Sequence, residues 1–415
     1  MKREPPDYVG SSRLPRMIDL KAARNDPGTY RAALARKGAA EAFDAALEAD
    51  ERWRALVPRI DELRGKTKLK GKPSPEQLQE LQQVKEELKT AEEELAAAEA
   101  DRDRLALRIP NLPSPDVPDG STEDDVEELR RVGEPPKLDE PHEHVEVGNF
   151  EMERAARMSG ARFGYWMGDT ARLALALYRL ALDRIAEKGF VTVLPPVLVR
   201  EEALIGTGAF PSDEANVYEV EADGLYLAGT AEIPLASLHA GEILVADELP
   251  LRYVAFSPCF RREAGAAGRD TRGMIRVHQF NKVEQFSLTR PEDSPTEHEF
   301  LLANTEELVQ ELGLPYRVVV LPAGDISSAA AKTYDVEIWF PSQDRYRETA
   351  SVSNTTDFQA RRLGIRYRAD RGVEPVHTLN GTAVVDRMAL AILENLQGDV
   401  PDVLRAYGAP ERIAR

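Results

Sequence analysis

From Ala39 to Leu63 apolar residues return every three or four positions: Ala39, Ala42, Ala46, Ala49, Trp53, Leu56, Ile60 and Leu63. A second series runs through Leu81, Val84, Leu88, Ala91, Leu95 and Ala98 and, past Arg102, reaches Leu105. Charged residues fill the positions between. Stripes of this spacing, sustained over three or more heptads, predict two long helices packed as a coiled coil. Gly65, Gly71, Pro73 and Pro75 interrupt the pattern across 64–75, so the helices form an antiparallel hairpin with its tip there. Ser74 offers a side-chain acceptor to the open N–H groups of the second helix, and Pro75 has a φ already suited to a first helical position. At about 1.5 Å per residue that helix extends roughly 50 Å. Pro58 lacks an N–H and crowds the preceding turn, which predicts a kink in the first helix.

Beyond the hairpin the pattern changes. Residues 109–149 are rich in Pro, Asp and Glu, the composition of a linker, and His142 and His144 within it receive no chemical role. Leu173, Leu177, Leu180 and Ile185 follow helical spacing, with Asp169 or Thr170 as cap and Gly189 as stop. The apolar run 190–199 is broken by Pro195 and Pro196, which cannot donate within a central ladder, so this strand belongs at an edge or interface. The short runs LYLAGT, RYVAFSPCF, MIRVHQFNKVEQFSL, YRVVVL, TYDVEIWF and TASVSN follow, mostly without helices between them. Strands linked by turns predict an antiparallel sheet and an α+β domain, closed by the helical pattern at 388–395. The resulting division is a disordered extension at 1–16, an N-terminal domain at 17–108 with the hairpin at about 39–105, a linker at 109–149, and a second domain at 150–415.

A chain of 415 residues with 42% hydrophobic and 30% charged positions suits two soluble domains. No apolar run is long enough to span a bilayer, and residues 1–16 hold no apolar stretch of the kind found in secretory signals. Cys259 is the single cysteine, which excludes an internal disulfide and a multi-cysteine zinc site and fits a reducing cytoplasm. The net charge of −18 opposes general nucleic-acid affinity, which depends on neutralising phosphates. Any such partner requires locally concentrated positive charge. The hairpin tip has it: Arg64, Lys66, Lys68, Lys70 and Lys72 stand without an acid among them, just after Arg52, Arg54 and Arg59. Two readings stay open, a solvated loop on a structural coiled coil and a phosphate-contacting arm.

The most informative stretch is 259–286, CFRREAGAAGRDTRGMIRVHQFNKVEQF. Two strand-like ends flank a loop containing Gly265, Gly268, Arg269, Arg272 and Gly273. Arg261 and Glu263 are two apart and share a face if they lie on a strand. A guanidinium beside a glycine-bearing loop suits phosphate oxygens, which it can grip with two parallel charge-assisted bonds; the carboxylate can hold an amino group. An isolated Arg-X-Glu is more often a surface salt-bridge ladder, so the specificity rests on the whole stretch. Neither GxGxxG after a strand nor GxxxxGK[ST] is present.

This stretch resembles motif 2 of the class II aminoacyl-tRNA synthetases in its seryl form. TAEIPL (230–235), YDVEIW (334–339), YRETASVSNTTDFQARR (346–362) and HTLNGTAVVDRMALAILEN (377–395) resemble that family in the same order. The hairpin resembles the tRNA-binding arm of bacterial-type seryl-tRNA synthetases, and MIDLKAARNDP (17–27) its start. The resemblance runs from Met17 to about Gln397. It implies a homodimer with an antiparallel catalytic domain at 150–415. The implied reaction activates L-serine with ATP and Mg2+, without zinc, to seryl-adenylate and pyrophosphate, then transfers serine to tRNA(Ser), with tRNA(Sec) a further candidate. By position, Arg261 matches the arginine at the α-phosphate and reacting carboxylate, and Arg387 the one at the γ-phosphate. Glu263 and Val277 match adenine contacts. Glu348 and Ser351 match the metal pair, within an ATP-binding run that includes Thr349 and Ala350. Thr230, Ala231 and Glu232 match the loop binding the ends of serine, and Glu284 and Thr382 the groups that read its hydroxyl. Arg64, Lys66, Lys68, Lys70 and Lys72 match the tRNA-contacting tip.

The chain departs from the family pattern in places. Arg387 lies seven positions after Asn380 where eight are expected, which bears on the path of Ala383–Asp386 and on Thr382. Thr349 and Ala350 replace Ile-Ser, and Val352 and Thr355 replace cysteines. These changes are compatible with a housekeeping enzyme and with an antibiotic-tolerant second copy. A relative loading a carrier protein would lack the arm. A non-catalytic paralogue would be expected to lose Arg261, Arg387 or Glu348, and all three remain.

Overall fold

The computed structural model describes residues 18–68, 74–264 and 273–414. The proposed extension at 1–16, Lys70 and Lys72 of the tip, and Gly265, Gly268, Arg269 and Arg272 lie outside the described residues. The chain divides into two compact units, 1–112 and 113–415.

In the first unit α1 (Leu20–Asn25) and α2 (Pro27–Ala35) precede the hairpin helices α3 (Ala40–Lys66) and α4 (Pro75–Ala106). The heptad residues do what their spacing predicts: Ile60, Leu63 and Ala91 are buried with Val84, Leu88 and Leu95 against them. Nearer the base Phe43 and Ala46 pack with Ala23, Leu34 and Ile109. Arg102, which interrupts the apolar series, lays its guanidinium 4.1 Å from the centre of the Trp53 ring, so a cation–π contact replaces an aliphatic one. Ser74 and Gln77 form a reciprocal cap on α4, Ser74 Oγ accepting from Gln77 N at 3.2 Å and Gln77 Oε1 from Ser74 N at 2.9 Å. Pro58 is accommodated within α3, which runs through it without interruption.

The second unit is built on an eight-stranded sheet. In chain order its strands are β1 (Glu127–Val132), β2 (Val191–Val193), β3 (Leu251–Phe260), β4 (Gln279–Thr289), β5 (Tyr316–Val320), β6 (Lys332–Phe340), β7 (Arg345–Asn354) and β8 (His377–Val385). The spatial order is β1-β5-β6-β7-β8-β4-β3-β2. Every pairing is antiparallel except β2 on β3. The proline-interrupted run thus supplies a short edge strand ending before Pro195. Helices α5 (Gly168–Glu187), α6 (Ser294–Glu311) and α7 (Asp386–Leu396) share one core with the sheet, including Leu177, Leu301, Val336, Val352, Leu379 and Leu390. Gln285 turns to α6, where its Nε2 donates to the Leu301 carbonyl. By strand alternation its neighbour Glu284 faces the opposite side of the sheet.

Three local expectations need correction. The segment 109–149, read as a linker, contains edge strand β1 and the helical turn His144–Val147. Strand β1 reads Glu-Glu-Leu-Arg-Arg-Val and is largely exposed, so no apolar alternation marks it. Arg261 and Glu263 do not lie on a strand, because β3 ends at Phe260 and Glu263 has φ +52°. Helix α5 begins at Gly168 with Met167 in the cap position; Thr170 Oγ1 instead accepts from Asn149 N at 2.8 Å. No helix of the described residues is long and apolar enough to cross a membrane.

Candidate active site

A cavity of about 330 Å³ opens on the face of the sheet bearing Glu284. Arg261, at the exit of β3, donates from Nε to the Gly229 carbonyl at 3.3 Å and lies 5.2 Å from the Phe280 ring centre. Glu263 receives Arg276 Nη1 at 2.6 Å. Arg387, in the first turn of α7, donates to the Glu348 carbonyl and, at 3.4 Å, to that of Ile275; its guanidinium is 3.7 Å from the Glu348 carboxylate. Arg261, Glu263, Val277, Glu348, Thr349, Ser351 and Arg387 all line this one cavity, although they come from three separate stretches of chain.

Glu348 and Ser351 are three residues apart and would face opposite sides of a regular strand. Opposite β6, Ala350 pairs with Val336 and Glu348 with Glu337, leaving Thr349 as the extra residue of a bulge. The bulge brings Glu348 and Ser351 to one face, with Ser351 Oγ 3.4 Å from Glu348 Oε1. Ser351 Oγ also donates to Asp335 at 2.6 Å. Burial, then the Glu348 charge, pushes the Asp335 carboxyl well above its usual range. Ala350 faces the helices and is buried in the core, while Thr349 Oγ1 donates to the Val336 carbonyl.

The cavity lining also includes a buried polar cluster. Glu284 is 1% exposed and accepts from Thr230 Oγ1 at 3.2 Å. Lys282 donates to that hydroxyl at 2.7 Å and is ion-paired with Glu284. Thr382 pairs directly across from Glu284, because a bulge at Ala383 separates it from the Val384–Val283 pair. Both Thr382 and Arg387 line the cavity. Glu232 accepts from Gln359 Nε2 at 2.6 Å. Burial, then the nearby Glu284, pushes its carboxyl up to about 7. Ala231 is fully buried behind this wall. Lys282 and Gln359 are absent from the sequence-derived set. Lys282 was detectable, standing two residues before Glu284 on the same strand face; Gln359 carried no local signal.

His278 and His377 lie outside the cavity lining, bonded to the Arg261 carbonyl and to Ser294. Cys259 is buried, and burial pushes its thiol up. In the first unit Arg52, Arg59 and Arg64 pair with Asp101, Glu94 and Glu92 across the hairpin, and Lys66 with Glu62. Much of the positive charge read toward the tip is therefore matched by acids on the same hairpin. Two guanidinium groups, buried carboxylates and an ammonium lining one cavity suit a polyanion meeting a small zwitterion.

Comparison with known proteins agrees with this geometry. Residues 17–113 match the seryl-tRNA synthetase N-terminal domain, and residues 217–396 the tRNA synthetase class II core domain (G, H, P, S and T). The serine–tRNA ligase of Thermobifida fusca is 45% identical over 411 residues, covering 94% of this chain and 97% of that protein. Serine–tRNA ligase 1 of Streptomyces avermitilis is 45% identical with the same coverage. Among solved structures, the seryl-tRNA synthetase of Pyrococcus horikoshii complexed with ATP superposes with a TM-score of 0.88 at 40% identity, covering 96% of this chain and 99% of that one. The cytoplasmic serine–tRNA ligase of Naegleria fowleri in complex with AMP does so at 0.85 and 33% identity, over 96% and 99% of the two chains. At such identity over nearly the full length of its relatives, the chain belongs to the seryl-tRNA synthetase family.

Proposed function

We propose that the chain is a serine–tRNA ligase, joining L-serine to ATP as seryl-adenylate and then to tRNA(Ser). The observation that carries this reading is the convergence of Arg261 and Arg387 on one cavity that also holds the Thr230–Lys282–Glu284–Thr382 cluster. A serine carboxylate oxygen bonds to the α-phosphorus, and the bond from that phosphorus to the bridging oxygen breaks, releasing pyrophosphate. The terminal ribose hydroxyl of tRNA then attacks the activated carbonyl and AMP leaves. No protein nucleophile is required. The site contributes alignment and fixed positive charge where anionic oxygens crowd. Arg261 serves the α-phosphate and the serine carboxylate, Arg387 the γ-phosphate, and Glu263 with Val277 the adenine. Glu232 and Thr230 hold the serine ammonium and carboxylate ends, and Glu284 and Thr382 read the hydroxyl.

The Glu348 carboxylate and Ser351 hydroxyl are hard oxygen donors on one face, and the Ser351 proton is engaged by Asp335, a donor set that suits Mg2+. When bound there the ion supplies charge neutralisation for the phosphates. The N-terminal hairpin serves as the tRNA arm, contacting RNA backbone through Arg64, Lys66, Lys68, Lys70 and Lys72; readout by shape needs no base code. Val191, Leu194 and Leu198 are exposed apolar residues on and after edge strand β2, and we assign this face to a homodimer interface. Cytoplasmic residence accords with the lone buried thiol. ATP–pyrophosphate exchange with each of the twenty amino acids, followed by charging of tRNA against a carrier protein, tests the reading. Serine alone should support exchange and tRNA alone should be charged; another amino acid, or carrier loading, refutes it.

A further inference from the structure

One buried ionisable pair outside the cavity takes no part in the steps above. His144, 2% exposed, lies in the helical turn His144–Val147 against Glu394 of α7. Its Nδ1 is 2.7 Å from Glu394 Oε1, and its backbone N–H donates to the same oxygen at 3.3 Å. The second Glu394 oxygen accepts from Ser342 N at 3.3 Å and Ser342 Oγ at 2.6 Å. On the other side of the ring, His144 Nε2 is 3.0 Å from the backbone nitrogen of Met274. A backbone N–H only donates, so Nε2 carries the lone pair and the ring proton sits on Nδ1, facing Glu394. Gly273, at φ +71°, presses on the ring so closely that a Cβ there would lie 2.6 Å from Nε2.

The two backbones joined by this imidazole carry the nucleotide end of the cavity. Helix α7 holds Arg387 in its first turn and Glu394 two turns on. Met274 opens the run Met274–Val277, all four residues of which line the cavity, and the Ile275 carbonyl accepts from Arg387. We propose that His144 is a positioning residue for the nucleotide: as the acceptor for Met274 N–H it fixes the wall 274–277 relative to the helix bearing Arg387. This rests on the reading of that end as the ATP site and names a residue that never touches ATP.

Two substitutions separate the halves of the contact. In His144→Asn the amide nitrogen takes the place of Nδ1, keeping the bond to Glu394 and losing the acceptor for Met274. In His144→Gln the amide oxygen reaches the position of Nε2, keeping the acceptor and losing the donor to Glu394. The readouts are Kd for ATP by calorimetry, KM for ATP and for serine in pyrophosphate exchange, and melting temperature, all on the full chain. His144→Asn should weaken ATP about fivefold, the effect of one lost neutral hydrogen bond, with KM for serine unchanged and the smaller loss of melting temperature. His144→Gln should melt lower yet bind ATP near the wild-type value. ATP affinity that follows melting temperature across the pair, or equal rises in both KM values, overturns the proposal and leaves His144 a structural residue. A wild-type chain that binds ATP without serine-dependent exchange overturns the ligase reading instead, while the order of ATP affinities still tests His144.

Discussion

Replacing Glu284 by glutamine tests the hydroxyl-reading end of the cavity. The side chain keeps its shape but loses its charge, so its bond to the serine hydroxyl falls from charge-assisted to neutral, about half as strong. From about 1.5–3 kcal/mol for a bond to a charged group, the loss is about 0.75–1.5 kcal/mol, or about four- to twelvefold in kcat/KM for serine. Alanine has no hydroxyl and loses nothing by this route, so the serine-to-alanine ratio should fall by the same factor. The substitution also deprives Lys282 of its ion-pair partner, while its bond to Thr230 Oγ1 remains beside the new amide. Breaking such a pair costs at most about 3–5 kcal/mol of stability, less here because the glutamine oxygen still accepts. Pyrophosphate exchange with serine and with high alanine concentrations, run on protein shown to be folded, measures both values. Thr382→Val should shift the ratio in the same direction by about fivefold, the worth of a neutral bond. If serine and alanine rates fall together, the effect is collapse of the pocket around Lys282, and Glu284 does not read the hydroxyl.

Three further outcomes follow from the same geometry. The Glu232 carboxyl is raised to about 7 and is neutral below that pH, whereas holding an ammonium requires its anion. KM for serine should therefore climb as pH drops below about 7, by up to about tenfold per unit, and Glu232→Gln should flatten that profile in exchange assays. Deleting residues 39–105 should leave exchange intact and abolish tRNA charging, whereas undiminished charging would refute the arm assignment. Leu194→Asp, at a residue 79% exposed, should shift the chain from dimer to monomer in sedimentation velocity; an unchanged dimer would move the interface elsewhere.

Where the physical signal is periodic, it was legible in the chain. The hairpin followed from apolar spacing because each helix buries one stripe and little else, and even Arg102, an apparent fault in that stripe, proves to be a packing residue over Trp53. The antiparallel sheet followed from strands linked by turns. Strand β1 was hidden because an exposed edge buries no face, and Leu129, itself exposed, is the single apolar residue of Glu127–Arg131. Gln359 was hidden because it reaches Glu232 only through tertiary packing. The pairing of hairpin arginines with acids of the opposite helix was equally invisible, since partners such as Arg52 and Asp101 are 49 residues apart.

The catalytic face exposes a more general limit of alternation as a guide. Period two correctly separates Glu284 from Gln285, yet it would set Glu348 against Ser351. It would also put Thr382 and Val384 on one face, although Thr382 lines the cavity and Val384 is buried in the core. Each case turns on a bulge, at Thr349 and at Ala383. A bulge inserts one unpaired residue and reverses the facing of everything beyond it, so it can bring two groups three apart onto one face. At Ala383 it sets Thr382 opposite Glu284. Both bulged residues are poor ligands themselves, Ala383 having no polar atom and Thr349 committing its hydroxyl to Val336. Their contribution is to the facing of their neighbours, and residues of that kind are found from strand register before side-chain chemistry.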